Sequence, residues 1–113
     1  MRKNKDFEQI RNWAENKGIY KSGDPMTQFA KLSEEQGELA QALLKEDRAG
    51  VIDAIGDMVV VLTNLAELSS DRFCLKGRTT NKRFTIETCI SHAWEEIKDR
   101  TGKMENGSFV KDK

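Results

Sequence analysis

Apolar positions recur at helical intervals along nearly the whole chain. Phe7, Ile10 and Ala14 follow one another at spacings of three and four, with Trp13 beside them, and the glycine of "NKG" at 16–18 stops that first helix. "GDP" at 23–25 offers Asp24 as N-cap and Pro25 as first helical residue. Phe29, Leu32, Leu39 and Leu43 then keep phase to about Lys45, a second helix. Ser33-Glu34-Glu35-Gln36 also fits a capping box that would start this helix at 34, but the apolar phase does not slip at Ser33, so the longer helix is preferred. Beyond Gly50 a third helix, about 51–69, is apolar nearly all round, which marks it as the central and most buried element. Residues 71–83 hold five basic residues against one acid and read as an exposed basic connection. A fourth helix, about 82–100, carries Ile86, Cys89, Ile90, Ala93 and Ile97 on one stripe. Asn106-Gly107, between Met104 and Phe109–Val110, signals a hairpin too short to be stable alone. The pattern predicts an all-α chain, a four-helix bundle-like fold with an antiparallel central pair and a short C-terminal β-hairpin.

Composition narrows this picture without changing it. The 113 residues suit one domain with one core. Charged residues make up 34% and hydrophobic ones 37%, the profile of a charge-faced helical protein. Nineteen Lys and Arg balance nineteen Asp and Glu, which argues against general affinity for nucleic acid or an anionic membrane. Two separate cysteines, Cys74 and Cys89, are too few for a disulfide framework or a metal knuckle, so a reducing setting is expected. "MRKNKDFEQI" has no apolar core for a signal peptide, and the longest apolar run, Met58 to Leu62, is far short of a membrane span. The expected location is the cytoplasm. A helix apolar on all sides in so small a domain predicts a subunit contact, in a homodimer or homotetramer.

Against this background the carboxylates stand out. Glu34, Glu35 and Glu38 share a helix surface, and Asp53 and Asp57 lie one turn apart in the apolar third helix. From 34 to 57 there are seven acids and two bases, a local charge of minus five. Like charges one turn apart cost roughly 0.2–0.5 kcal/mol each even in solvent, and burying them unpaired costs several kcal/mol more. If the two helices are antiparallel across a loop near Glu46 to Gly50, Glu38 and Asp57 fall at the same level, roughly 10–12 Å from it at 1.5 Å per residue. Oxygen ligands without His or Cys select a hard cation, magnesium or manganese. The alternatives are a solvated acidic face for Glu34 and Glu35 and a start-of-helix acid for Asp53. Asp57, flanked by Gly56, Met58 and a valine run, fits neither.

"EEQGEL" followed by "DAIGDMVVVLTNLAEL" resembles the MazG-like all-α nucleotide pyrophosphohydrolases, whose pattern is E-E-x-x-E and then E-x-x-D. The resemblance covers most of the chain, including the Trp-bearing first helix and the ending "EEIKDRTGKMENGSFVK". It implies a MazG fold, an oligomer, and magnesium held by Glu35, Glu38 and Asp57. One position departs: three residues before Asp57 stands Ala54, not Glu, and Asp53 is the expected substitute. The implied reaction is hydrolysis of a nucleoside triphosphate between the α and β phosphates, to a monophosphate and pyrophosphate. A carboxylate near the metal must then accept a proton from water, with Glu35 or Glu38 as catalytic base and Glu34 a further candidate.

A triphosphate also needs cations. Lys98, Arg100 and Lys103, at and after the end of the fourth helix, are candidates, as are Arg72, Lys76, Arg78, Lys82 and Arg83; a solvated surface is the competing reading. Trp13, Phe29 and Trp94 could stack on a base or serve the core. Asn64, two turns beyond Asp57, could read a sugar or base edge or bond between helices. His92 lacks the E-x-x-H spacing of a di-iron bundle and reads as a surface residue. The non-enzymatic alternative is a helical regulatory or assembly protein whose third helix is an oligomer interface.

Overall fold

The computed structural model describes residues 5–75 and 83–113. Helix α1 runs Asp6–Asn16 and stops where expected, at Gly18, whose φ of 81° is left-handed. A single extra turn, α2 (Ile19–Ser22), precedes α3, Pro25–Leu44. Asp24 caps α3 as predicted: Thr27 donates its backbone N–H to Oδ1 at 2.9 Å and its hydroxyl to Oδ2 at 3.0 Å. Helix α3 passes through Ser33 without a break.

The turn into the next helix is tighter than the sequence suggested. Glu46 takes the left-handed position, φ 52°, that glycine usually fills, while the Glu46 and Asp47 amides return to the Leu43 and Ala42 carbonyls. Asp47 then caps α4, accepting from the Gly50 amide at 3.0 Å, so α4 spans Arg48–Leu75. Gly50 is not a separator but part of the first turn. A Cβ there would lie 2.6 Å from Asp47 Oδ2 and 3.1 Å from the Ala42 Cβ, which is why a glycine sits at this contact.

The predicted third helix is therefore extended at both ends, and residues 71–75 of the expected basic connection are its last turn. Lys76, Arg78 and Lys82 lie outside the described residues. The fourth long helix, α5, is shorter than predicted, Ile86–Ile97, and starts at a reciprocal Thr85/Thr88 cap. The hairpin is present: β1 (Gly102–Glu105) pairs antiparallel with β2 (Ser108–Lys111) through Asn106 and Gly107, both at positive φ. The chain is thus mostly helical, with one small two-stranded sheet.

Helices α3 and α4 form an antiparallel pair, with Gly23 beside Leu68 at one end and Ala42 beside Gly50 at the other. Helix α1 lies on α4, and α2 is tied to it where the Tyr20 hydroxyl donates to Asn64 Oδ1 at 2.7 Å. Helix α5 touches α4 near its C-terminal end: the Phe84 amide donates to Ser70 Oγ at 2.8 Å, and the Phe73 and Phe84 rings stand 6.3 Å apart. Arg11 of α1 grips Glu87 of α5 through both terminal guanidinium nitrogens, at 2.6 and 2.7 Å. The apolar stripe of α5 faces solvent over much of its length: Ile90 and Ile97 are each 48% exposed. Trp13, Phe29 and Trp94 are half-exposed as well, so none of them is a core residue within this chain.

Candidate metal centre

The antiparallel pair sets the level at which the two acidic segments meet. Glu35 and Glu38 of α3 and Asp57 of α4 each bring one carboxylate oxygen within 4.8 Å of the other two. Glu35 is half-buried, while Glu38 and Asp57 are exposed. Its Oε2 is enclosed and has no hydrogen-bond partner. Burial above all, then the Glu38 carboxyl and the Asp57 charge, raise the Glu35 pKa from its ordinary value, with Lys31 pulling the other way. Three carboxylate oxygens in one place, one of them from the half-buried Glu35, form a group that a cation would neutralise.

A cleft of about 310 Å³ adjoins this group, lined by Glu38, Asp57, Asp53, Asp47, Lys45 and Ala54 among others. Asp53 belongs to the cleft wall and not to the mutual group of three. It stands in the second turn of α4, beyond the reach of a first-turn dipole effect. Ala54, at the departing position, is 3% exposed between α3 and α4.

The remaining sequence candidates lie elsewhere. Asn64 is 2% exposed with its carbonyl engaged by Tyr20, the interhelical arrangement and not an open edge-reading one. Lys98 pairs with Glu95 at 2.7 Å, Lys103 approaches Glu105 at 3.5 Å, and Arg100 lines a separate hollow beside the hairpin. None of the three lines the acid cleft, and neither does Trp13. Arg72 and Arg83 flank another hollow of about 590 Å³ with Tyr20, Asp24 and Asp71, where Arg83 is paired with Asp71. His92 is exposed and 3.2 Å from Glu96, a surface residue.

Sequence reading passed over Glu67. Its Oε1 is enclosed without a hydrogen-bond partner, 3.9 Å from the Arg11 Nε. Burial raises its pKa, against the pull of Arg11. Its signal was available, since Glu67 is the one charged residue between Met58 and Ser70.

No family model matches the chain, and no solved structure matches it. Over 61 residues it is 38% identical to the "Uncharacterized 18.2 kDa protein in rep-hol intergenic region" of Haemophilus phage HP1 (strain HP1c1). That stretch covers 54% of this chain and 37% of the phage protein. The chain thus spans little more than a third of that relative's length.

Proposed function

We propose that this chain is a magnesium-dependent nucleoside triphosphate pyrophosphohydrolase of MazG-like fold, acting in the cytoplasm on free nucleotides. The observation that carries the reading is the convergence of Glu35, Glu38 and Asp57 from two helices onto one point. The donor set fits the ion: all three ligands are carboxylates, and the unpaired Glu35 Oε2 is an oxygen that a hard cation would satisfy. Magnesium, or manganese in its place, supplies phosphate charge neutralisation and a more acidic bound water.

The chain's own residues divide the remaining work. Glu35 and Glu38 are the proton acceptors nearest the point of convergence, and Asp57 holds the site from α4. Asp53 acts from the cleft wall. Lys98, Arg100 and Lys103 do not share the cleft, so the cations of this chain best placed for a polyphosphate are Lys45, on the cleft wall, and Lys31, whose charge reaches Glu35.

A panel of ribo- and deoxyribonucleoside triphosphates tests the reading. With magnesium or manganese, at least one should yield a monophosphate and pyrophosphate, and EDTA should stop the release. Inorganic phosphate with a diphosphate would place the cut at the other bond. The second reading, a non-enzymatic helical regulatory or assembly protein, is favoured by the exposed apolar residues of α4 and α5. A protein silent to both the nucleotide panel and a magnesium titration would support it.

A further inference from the structure

The hollow of about 590 Å³ beside Tyr20 lies at the end of the α3/α4 pair away from the acid group. Asp24 to Glu38 along α3 and Asp57 to Asp71 along α4 are each fourteen residues, so roughly 21 Å of helix separates the two places. A space of this size takes a small organic molecule and is far more than an inorganic anion fills. Its charges do not cancel. Asp24 and Asp71 line it together with Lys21, Arg72 and Arg83. Both oxygens of Asp24 are taken by Thr27 in the α3 cap, and these hydrogen bonds hold its carboxyl below the ordinary range. Asp71 is held by Arg83. Lys21 and Arg72 remain, and neither makes a hydrogen bond or ion pair among the described residues.

Two uncommitted cations on different helices, α2 and α4, match one dianion. A phosphate monoester is such a group, with a charge of about −1.5 to −2 near pH 7. The rest of the wall suits a flat body with apolar faces, because Tyr20, Leu68 and Pro25 contribute to it. The hydrogen bond from the Tyr20 hydroxyl to Asn64 Oδ1, at 2.7 Å, holds that ring in place, so its ordering is not a cost of binding. A nucleobase has such faces and stacks on aromatic side chains, whereas a sugar phosphate offers mostly hydroxyls.

We propose that the hollow between α2, the start of α3 and the end of α4 binds a nucleoside monophosphate, with its phosphate on Lys21 and Arg72 and its base against Tyr20 and Leu68. The inference does not rest on the metal reading, because none of Glu35, Glu38 and Asp57 lines this hollow and its own cations match the phosphate. Isothermal titration calorimetry on the full chain in EDTA tests it with the monophosphates of adenosine, guanosine, cytidine and uridine. At least one should bind with a dissociation constant below about 1 mM, and about tenfold or more tighter than either inorganic phosphate or the corresponding nucleoside. Arg72→Gln and Lys21→Gln, both at exposed positions, should keep wild-type helicity by circular dichroism and each weaken binding about tenfold, the loss of one charge-assisted hydrogen bond. Asp57→Asn should leave the affinity unchanged. Absence of binding below about 1 mM for all four, inorganic phosphate binding as tightly as the nucleotides, or a folded Arg72→Gln, Lys21→Gln double variant with wild-type affinity would each overturn the proposal. So would loss of binding in Asp57→Asn, which would move the ligand to the acid cleft.

Discussion

Replacing Tyr20 by Phe tests how the short second helix is anchored. The hydroxyl donates to Asn64 Oδ1 at 2.7 Å, and Asn64 is 2% exposed on a helix whose neighbouring positions are apolar. Phe fills the same space but leaves that buried oxygen without the phenol. A neutral hydrogen bond contributes about 1 kcal/mol net, and an unsatisfied buried acceptor costs about 1–3 kcal/mol. Tyr20 is only partly buried, which allows water some access, so the expected loss is about 1–2 kcal/mol. For a domain of this size that lowers the melting temperature by roughly 4–8 °C. Urea unfolding followed by circular dichroism, at one fixed protein concentration, gives the free energy directly. Asn64→Leu should cost a similar amount, and the double variant should lose clearly less than the sum, because it removes donor and acceptor together. A Tyr20→Phe protein within about 0.3 kcal/mol of wild type, or a strictly additive double variant, would refute this anchoring. A change in KM without a change in stability would instead return Asn64 to a role in reading the substrate.

Other outcomes follow from the same geometry. Burial pushes the Tyr20 phenol from 10.0 up to about 12, so the unfolded chain loses its proton first and Tyr20's stabilisation, complete below pH 10, should fade as pH rises toward 12. Tyrosinate absorbance measures this at a single group, Tyr20 being the one tyrosine. Asp57→Asn should abolish turnover while the metal-free protein melts no lower than wild type, because a carboxylate repulsion is relieved; unfolding on that substitution would mark Asp57 as structural. Asp53→Ala should raise the magnesium needed for half-maximal rate yet lose less than Asp57→Ala at saturating metal, as befits a residue on the cleft wall. Glu46→Gly should stabilise the protein by about 0.5–1 kcal/mol in thermal unfolding, since glycine takes the left-handed position without Cβ strain.

The helices were legible wherever a cap and a phase coincided. Asp24, Pro25 and the unbroken stripe from Phe29 to Leu43 define α3, and Asn106-Gly107 defines the hairpin, because each signal is local and steric. Boundaries failed where a different residue did the capping: Asp47 captures the Gly50 amide, so α4 begins before the glycine that looked like a break. The exposure of the α5 stripe was not legible for another reason. A helical stripe shows which residues want cover, not whether the same chain supplies it, and α5 meets the end of α4 and, through Arg11–Glu87, the side of α1. At the candidate site, helical spacing and the antiparallel level brought out Glu38 and Asp57, while it was the family resemblance that singled out Glu35 over Glu34. The position of Lys98, Arg100 and Lys103 relative to the acids depends on where the arm after residue 83 goes, which no spacing rule contains.

Ala42 and Ala54 are buried where α3 and α4 pack, and both border the acid cleft. Side chains this small let the two helix axes run close, and closeness is what allows short carboxylates on opposite helices to share one point. The alanines therefore act as a gauge block: the gap between Asp57 and the two glutamates is set by methyl groups that are themselves no part of the chemistry. Widening the gauge, as with Ala42→Val, would keep every acid in the sequence yet move Asp57 away from the two glutamates, and so change the radius of the ion that the group would hold under the proposed reading. On the proposed reading, preference between magnesium and a larger divalent ion would then be tunable from the hydrophobic seam, without touching a single carboxylate.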